Sequence, residues 1–275
     1  MRIYGLDVTS APAKRKPTTC AVCWLHEGTL YVQGLQKLAS FDDFEAWLHT
    51  PGPWLAALDF PIGLPRKLLI GLNWPQDWTG YLQQVASLSK REFEETLLNY
   101  MAGRQQGDKL HLRETDRLAG ARSPMMLVRV PVAKMFFAGA TRLLKAPISV
   151  LPCRPTEDTR LVVEGYPALV AAKLIGRQGY KSDERRKQDE ARAEVRRVLV
   201  SLLRSEAIER WYGLRVLLSE GLEEQLVEDE MGDLLDAVLC AMQAGWVFTR
   251  RESGYGIPVD CDRDEGWIVD PALLR

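Results

Sequence analysis

Residues 2–38, RIYGLDVTSAPAKRKPTTCAVCWLHEGTLYVQGLQKL, contain three runs rich in apolar and β-branched side chains. The first run, Arg2–Val8, predicts a short buried strand that ends at a polar stretch containing two prolines. The second and third, Thr18–Leu25 and Thr29–Leu38, are separated only by the turn sequence HEG, which is the spacing of a hairpin. The chain is therefore expected to begin with three antiparallel strands.

Beyond this hairpin, the chain alternates between predicted helices and strands. A helix is expected over Asp42–His49, and buried strands over Trp54–Phe60 and Thr159–Glu164. Two strong helices, Glu184–Leu203 and Glu220–Val247, are expected to close the chain. This order predicts an α/β fold whose mixed sheet is flanked by helices.

The domain organisation follows from length and from one irregular segment. A chain of 275 residues is long enough to bury a large core, and it shows no internal repeat. Residues 66–145 interrupt the alternation with helix-like pieces and charged loops. We expect one domain over residues 1–275, in which residues 66–145 form a mostly helical insertion or cap.

The composition excludes several classes of protein. Lys and Arg number 36 and Asp and Glu 37, so the formal net charge of −1 gives no global attraction to nucleic acid. No apolar run approaches the length of a membrane-spanning helix, and the N-terminus has no apolar signal core. Five cysteines, an odd number, argue against a disulfide framework. We expect a cytoplasmic protein with no membrane partner.

Two of the cysteines form a C-x-x-C pair that does not predict a metal site. Cys20 and Cys23 fall within a predicted strand, where residues three apart point to opposite faces. No second pair of cysteines or histidines completes a zinc-binding set. Buried, inert thiols are expected at both positions.

Acidic residues end each of the three main predicted strands. Asp7 ends the first in IYGLDV, Asp59 the strand WLAALD, and Glu164 the strand LVVE. Charged groups in apolar strands are costly to bury unless they are paired or bind a cation. Two further acids, Asp233 and Asp236, are three apart on the last helix and so share one of its faces. Oxygen ligands of this kind predict a site for a hard cation such as Mg²⁺.

Each acid also has a purely structural interpretation. Asp7 and Asp59 are placed where helix caps and Asx-turns occur, and Glu164 could form an ion pair with an arginine. Asp233 adjoins a run of acids and could belong to a solvated helix face. Asp236 precedes the apolar run AVLCA, which favours an inward orientation.

Basic residues that could meet a phosphate backbone are few. Lys14, Arg15 and Lys16 lie in the loop after Asp7, where a substrate would approach. Lys181 stands in a GYK motif, and residues 185–187 (RRK) precede the long helix, where a solvated face is the alternative. The polar cluster HLRETDR, which contains Arg113 and Asp116, is a candidate second site.

Together these motifs resemble a known family. A strand-end Asp, a second strand-end acid and a D-x-x-D on a closing helix are similar to the ribonuclease H-like superfamily. More narrowly, the chain resembles the domain-of-unknown-function family 429, whose members are predicted ribonuclease H-like nucleases. The motifs that carry this resemblance, from residue 3 to residue 270, are GLDVTSAP, ALDFPIGLP, VEGYPA, GYK, GDLLDAVLCAMQA and EGWIVDP.

The resemblance implies metal-assisted phosphodiester hydrolysis with Mg²⁺ or Mn²⁺. It implicates as catalytic and metal-binding residues Asp7, Asp59, Glu164, Asp233 and Asp236. Asp7 would bridge two cations, Asp59 and Asp236 would each hold one, and Glu164 or Asp233 would complete the set. Lys14, Arg15, Lys16 and Lys181 would bind substrate. No Glu can be assigned to the first helix, where ribonuclease H enzymes usually carry one, so the number of cations stays open.

Two other functions are compatible with the same fold class. An ATP-binding phosphotransferase of the sugar-kinase or actin-like type also places phosphates near a strand-end Asp, but it needs a second hairpin, which the sequence lacks. A nucleic-acid-binding module without catalysis would not require the acids to converge. Nucleic acid is the candidate partner, as RNA or DNA, and the chain is expected to be a monomer or a homodimer.

Overall fold

The first three strands form the antiparallel start that the sequence predicts. The computed structural model describes residues 1–274 and, at Arg185, the backbone alone. Strands β1 (Arg2–Asp7), β2 (Thr18–His26) and β3 (Thr29–Leu38) pair in sequence order. The β2–β3 turn consists of Glu27 and Gly28, both with positive φ, as a two-residue hairpin turn requires.

A seven-stranded mixed sheet forms the centre of the molecule. The other strands are β4 (Trp54–Asp59), β5 (Ser149–Val150), β6 (Arg160–Glu164) and β7 (Arg215–Leu217). Their spatial order is β5-β6-β4-β1-β2-β3-β7, and β4 runs parallel to both β1 and β6. The predicted α/β architecture is confirmed, and the short strands β5 and β7 are additions to it.

Five helices cover one face of the sheet. They are α7 (Pro167–Ile175), α8 (Glu190–Leu202), α9 (Glu206–Tyr212), α10 (Glu220–Glu228) and α11 (Asp233–Thr249). Helix α11 lies directly against β1, where a Cβ atom on Gly5 would stand 2.1 Å from both the Ala237 carbonyl oxygen and the Ala241 nitrogen. Glycine at position 5 and alanines on α11 therefore allow an unusually close approach of helix and strand.

The opposite face is covered by the helices between β3 and β5. They are α1 (Phe41–Leu48), α2 (Arg66–Gly71), α3 (Trp78–Ala86), α4 (Lys90–Ala102) and α6 (Val132–Lys145), while α5 (Glu114–Ala119), from the same part of the chain, packs through Ala119 with Trp267 and Ile268 of the C-terminal segment. Residues 66–145 supply all of these but α1, and Trp78 and Phe136 share one core with Leu6 and Leu58 of the sheet. The assignment of the whole chain to one domain remains a prediction.

The closing helices differ from the sequence prediction in their extent. The predicted helix Glu220–Val247 is two helices, because residues 229–232 break it and Gly232 adopts a φ of 71°. The Asp229 side chain accepts a hydrogen bond from the Leu234 N–H at 2.8 Å and so caps the new helix start. The predicted helix Glu184–Leu203 begins only at Glu190, after a 3₁₀ turn.

Two further expectations concern the cysteines and the membrane. Cys20 packs in the core on one face of the sheet and Cys23 in the core on the other, as the strand spacing predicts. In residues 1–274, the helices are all too short or too polar to cross a membrane.

Candidate functional site

The register of the sheet places Asp7 and Asp59 side by side. In the parallel pair β1–β4, Asp7 lies opposite Asp59 at the carboxyl end of both strands. Paired residues of neighbouring strands point to the same face. Because Ile3 and Leu55 at alternate positions lie in the core beneath α11, both carboxylates point toward the α11 face of the sheet.

Helix α11 brings two more carboxylates to the same place. Asp233 and Asp236 occupy its first turn and are buried, with 7% and 0% of their surface exposed. The Thr19 hydroxyl on β2 donates a hydrogen bond of 2.6 Å to the Asp233 carbonyl oxygen, which fixes the helix start over the strand ends. Negative charge is also favoured at a helix N-terminus. Four of the five predicted acids are thus neighbours.

The Asp236 carboxylate is held by two residues of the GYK motif. The Tyr180 hydroxyl donates a hydrogen bond of 2.5 Å to Asp236 Oδ1, and the Lys181 ammonium forms an ion pair with Asp236 Oδ2. Although burial lowers the pKa of Lys181, the carboxylates of Asp236 and Asp7 outweigh this effect and raise that pKa well above its ordinary value. Lys181 is therefore the internal counter-charge of the acidic cluster.

The carboxyl groups of the cluster have raised pKa values. Burial raises the pKa of Asp59 to about 7, helped by the negative charge of Asp236 and opposed by Lys181. Burial also raises the pKa of Asp7 well above its usual range, against the effect of Lys181. For Asp233, burial raises the pKa to about 6, while Lys181, Lys16 and a hydrogen bond with Asp7 lower it. Burial and mutual repulsion thus favour the protonated, neutral forms of these acids.

Glu164 does not join these acids, because the sheet register turns it to the other face. In the pair β4–β6, Glu164 lies opposite Leu58 rather than Asp59, so it points toward the layer formed by residues 66–145. There, both of its oxygens accept hydrogen bonds from Arg113, at 2.7 and 2.5 Å, and one also accepts the Ile62 N–H at 2.9 Å. The expected convergence of three strand-end acids is corrected to two, and a metal-binding role for Glu164 stays a prediction.

Arg113 and Asp116 form a buried polar network with Glu164. The Arg113 guanidinium contacts Asp116 at 2.7 Å and also donates to the Glu265 carbonyl oxygen at 3.0 Å. Both side chains are 1% exposed. These contacts join the helical layer, the end of β6 and the C-terminal segment, so the cluster lies within the fold and is not open to a ligand.

A cavity of about 510 Å³ lies above the strand-end acids. Asp7, Asp59 and Asp233 line it, and Lys16, Arg129 and Lys181 supply its positive charges. Asp236 lies beneath Lys181, with 1% of its side chain exposed. The cavity therefore has both carboxylates and three cations in its lining.

The structure separates the basic residues predicted to bind substrate. Lys16 lines the cavity and forms an ion pair of 2.5 Å with Asp183, whereas Arg15 lines only a neighbouring groove of about 1010 Å³. Lys14 is exposed and lines neither space. Within residues 185–187, Arg186 and Lys187 pair with Glu184, and the side chain of Arg185 lies outside the described part. A substrate-binding role for these residues remains a prediction.

Two residues of the site, Tyr180 and Arg129, are not among those predicted from the sequence. Tyr180 holds Asp236, and its position before Lys181 in the GYK motif was a usable signal. Arg129 reaches the cavity from the loop between α5 and α6. Its signal is weaker: a single cation within the apolar stretch SPMMLVRVPV.

The donor set suits a hard cation, although the observed side chains are arranged around a lysine. Carboxylate oxygens of Asp7, Asp59 and Asp236 are the ligands that Mg²⁺ and Mn²⁺ prefer. In residues 1–274, no three His, Cys, Asp or Glu side chains are positioned to hold a metal ion as they stand. The Lys181 ammonium forms an ion pair with one oxygen of Asp236.

The comparison with protein families matches residues 5–262, nearly the whole chain, to the family described as "Protein of unknown function (DUF429)". The chain belongs to this family. The DUF429 match includes all four clustered acids and the GYK motif, and it ends before the motif EGWIVDP. Comparisons with curated proteins and with solved structures gave no match. The predicted family membership is confirmed, and the DUF429 description assigns no activity.

Proposed function

We propose that this protein is a metal-dependent phosphodiesterase that acts on nucleic acid, a nuclease that uses Mg²⁺ or Mn²⁺. One observation carries the proposal: two register-paired aspartates, Asp7 and Asp59, meet the first turn of α11 at the floor of a cavity. Converging carboxylates of this kind serve phosphoryl chemistry through a bound cation, because their oxygens supply hard ligands.

The roles of the acids follow from their positions. Asp7, Asp59 and Asp236 would hold the cation, and Asp233 would support Asp7 through the hydrogen bond between their carboxyl groups. Bound there, Mg²⁺ or Mn²⁺ would lower the pKa of a water molecule and stabilise negative charge on the phosphate. In the hydrolysis, the water oxygen would bond to phosphorus while the bond from phosphorus to the leaving oxygen breaks, and a proton from the water would pass to the leaving oxygen.

Tyr180 and Lys181 would prepare the site for this chemistry. The Tyr180 hydrogen bond fixes the orientation of Asp236, as groups around metal ligands commonly do. When Lys181 leaves Asp236, its ammonium stays within the same cavity, where it can contact a substrate phosphate. This accounts for both the observed ion pair and the predicted contact with substrate.

A cleavage assay tests the proposed activity. Labelled RNA, DNA and hybrid oligonucleotides are incubated with the wild type in Mn²⁺ or Mg²⁺, and with Asp7→Asn and Asp42→Asn. Asp42 is an exposed acid in α1, on the face of the sheet away from α11. Cleavage by the wild type and Asp42→Asn, slowed about 100-fold or more in Asp7→Asn, supports the proposal. Absence of cleavage with every substrate and either metal contradicts it.

We also propose that the protein works in the cytoplasm. All five cysteines are free, and four of them are buried, which suits a reducing compartment. The ATP-binding phosphotransferase and the non-catalytic nucleic-acid-binding module stay the alternatives to the nuclease. Binding of ATP with micromolar affinity, together with failure of the cleavage assay, would favour the former alternative.

A further inference from the structure

We propose that the cavity takes a single nucleic-acid strand rather than a duplex, and that Arg129 binds a phosphate of that strand. This inference rests on the proposed function, because it names the substrate class of the same site. The main observation is that the three cations in the cavity lining differ in whether an acid is paired with them. These cations are Lys16, Arg129 and Lys181.

Two of these cations already form ion pairs with acids. Lys16 pairs with Asp183 and Lys181 with Asp236. Arg129, by contrast, has no side-chain hydrogen bond or ion pair with any residue whose side chain the structure describes. An exposed guanidinium in the cavity lining, with no acid bound to it, is available to an anionic ligand. Its planar fork matches two phosphate oxygens at once.

The loop that carries Arg129 is held in place by its own backbone. Arg129 has a φ of 64°, in the left-handed region. On its C-terminal side, the Val132 N–H donates to the Val130 carbonyl oxygen at 2.9 Å, and the Ala133 N–H to the Met126 carbonyl oxygen at 3.0 Å. The side chain is therefore presented from a defined turn at the start of α6.

The size and walls of the cavity favour a single strand. A volume of about 510 Å³ lies in the range of pockets for small ligands, about 300–1,000 Å³. A B-form duplex is wider than its own major groove of about 12 Å and would not fit inside such a space, whereas a nucleotide of a single strand would. Val130, Pro131 and Met135 form an apolar wall, which a sugar or an unstacked base can contact.

The larger neighbouring groove shares Lys16 and Asp183 with the cavity. Its cations Arg15, Lys16 and Lys37 face four acids. Those acids are Asp183, Glu228, Asp229 and Glu230. Its acids outnumber its bases, as they do in the cavity, so the count of charges does not separate the two spaces. The cavity differs because it holds the strand-end aspartates that would bind a cation, and Arg129 lies in the same lining.

Fluorescence anisotropy with labelled oligonucleotides tests the inference. The probes are one sequence as single-stranded DNA, single-stranded RNA and blunt DNA duplex, in Ca²⁺ and at several salt concentrations. The variants are Arg129→Ala, Arg129→Lys and a matched control, Arg210→Ala, whose exposed side chain lies on α9 near the opposite end of the strands. Circular dichroism and melting temperature confirm that each variant is folded.

The expected result is preferential binding of a single strand, with the DNA and RNA arms showing which sugar is preferred. Arg129→Ala should weaken that binding about tenfold, Arg129→Lys should weaken it less, and Arg210→Ala should leave it unchanged. Loss of one phosphate contact should also flatten the slope of log affinity against log salt by about 0.7. Tighter binding of the duplex, unchanged binding by Arg129→Ala, or no binding of any probe would overturn the inference.

The two proposals fail in distinguishable ways. Arg129-dependent binding of a single strand without cleavage would leave the inference standing and remove the nuclease activity. Cleavage that depends on Asp7 but is unchanged in Arg129→Ala would leave the activity standing and remove the role of Arg129. If both hold, Arg129→Ala should raise KM about tenfold with little change in kcat, as loss of uniform binding does.

Discussion

At the scale of single residues, Lys181 decides the charge balance of the site. Its ammonium contacts Asp236, and its charge also acts on Asp7, Asp59 and Asp233. A buried group of carboxylates repels itself unless a cation lies among them. Lys181 supplies that cation within the chain, and a divalent ion would have to replace it at Asp236.

Replacing Lys181 with methionine should therefore strengthen metal binding. Lys181→Met removes the competing cation, so the Mn²⁺ affinity should rise about tenfold, and the melting temperature without metal should fall because the acids lose their counter-charge. Isothermal titration calorimetry and thermal unfolding, each with and without Mn²⁺, measure both effects. Lys14→Met is the control, since Lys14 is exposed and lies outside the cavity lining. Weaker Mn²⁺ binding in Lys181→Met would contradict this prediction and show that Lys181 helps the site to bind the metal ion.

At the scale of secondary-structure elements, the site depends on how closely α11 approaches β1. The approach is possible because position 5 has no side chain and α11 presents Ala237 and Ala241 to it. This contact determines how closely the N-terminus of α11 lies against the sheet. It therefore also determines the distance between Asp236 and the strand-end aspartates. A packed core transmits such a displacement rather than absorbing it.

Gly5→Ala should destabilise the protein and weaken metal binding together. The added methyl group would meet the backbone of α11, so overpacking should lower the free energy of unfolding by about 3 kcal/mol. Gly34→Ala is the matched control: Gly34 lies in β3 and a Cβ atom there meets nothing within 4 Å, so the change should stay within about 0.5 kcal/mol. Urea unfolding measures the free energy of unfolding of both variants. Equal stability of the two would contradict the close-packing argument.

The elements also show what the sequence could and could not predict. Strand ends were predictable from apolar runs that stop at Asp7 and Asp59, and the inward position of Asp236 from the apolar run after it. The position of Glu164 was not predictable, because a one-residue difference in register between β4 and β6 decides which face it meets, and register depends on tertiary pairing. The partner of Lys181 was missed for a similar reason: 55 residues separate it from Asp236, and only the folded chain joins them.

At the scale of the whole molecule, the acidic cluster should couple stability to pH. The raised pKa values of Asp59, about 7, and Asp233, about 6, mean that these groups bind protons more tightly in the folded chain than in the unfolded one, where the pKa of Asp is about 3.9. The folded state therefore holds more protons, and this contribution to the free energy of unfolding falls as pH rises from about 4 through 7.

Metal binding should have the opposite pH dependence. Because ligands must be ionised, the Mn²⁺ affinity should rise between pH 5.5 and 7.5, while the melting temperature without metal should fall over the same range. Asp59→Asn removes one of the titrating groups and should flatten the fall in melting temperature. Differential scanning calorimetry at several pH values, with and without Mn²⁺, gives both trends. The same slope in the wild type and Asp59→Asn would contradict the assignment of the fall to this cluster.

Calorimetric titration of Mn²⁺ into the wild type and Asp7→Asn tests the central claim most directly, because it asks whether the converging aspartates bind a cation without assuming any substrate. We expect the wild type to bind Mn²⁺ at pH 7.5, Asp7→Asn to bind it at least about 100-fold more weakly, and the exposed-acid variant Asp42→Asn to bind it like the wild type. No binding by the wild type, or equal binding by wild type and Asp7→Asn, would contradict it and leave the four acids and Lys181 as a structural ion cluster.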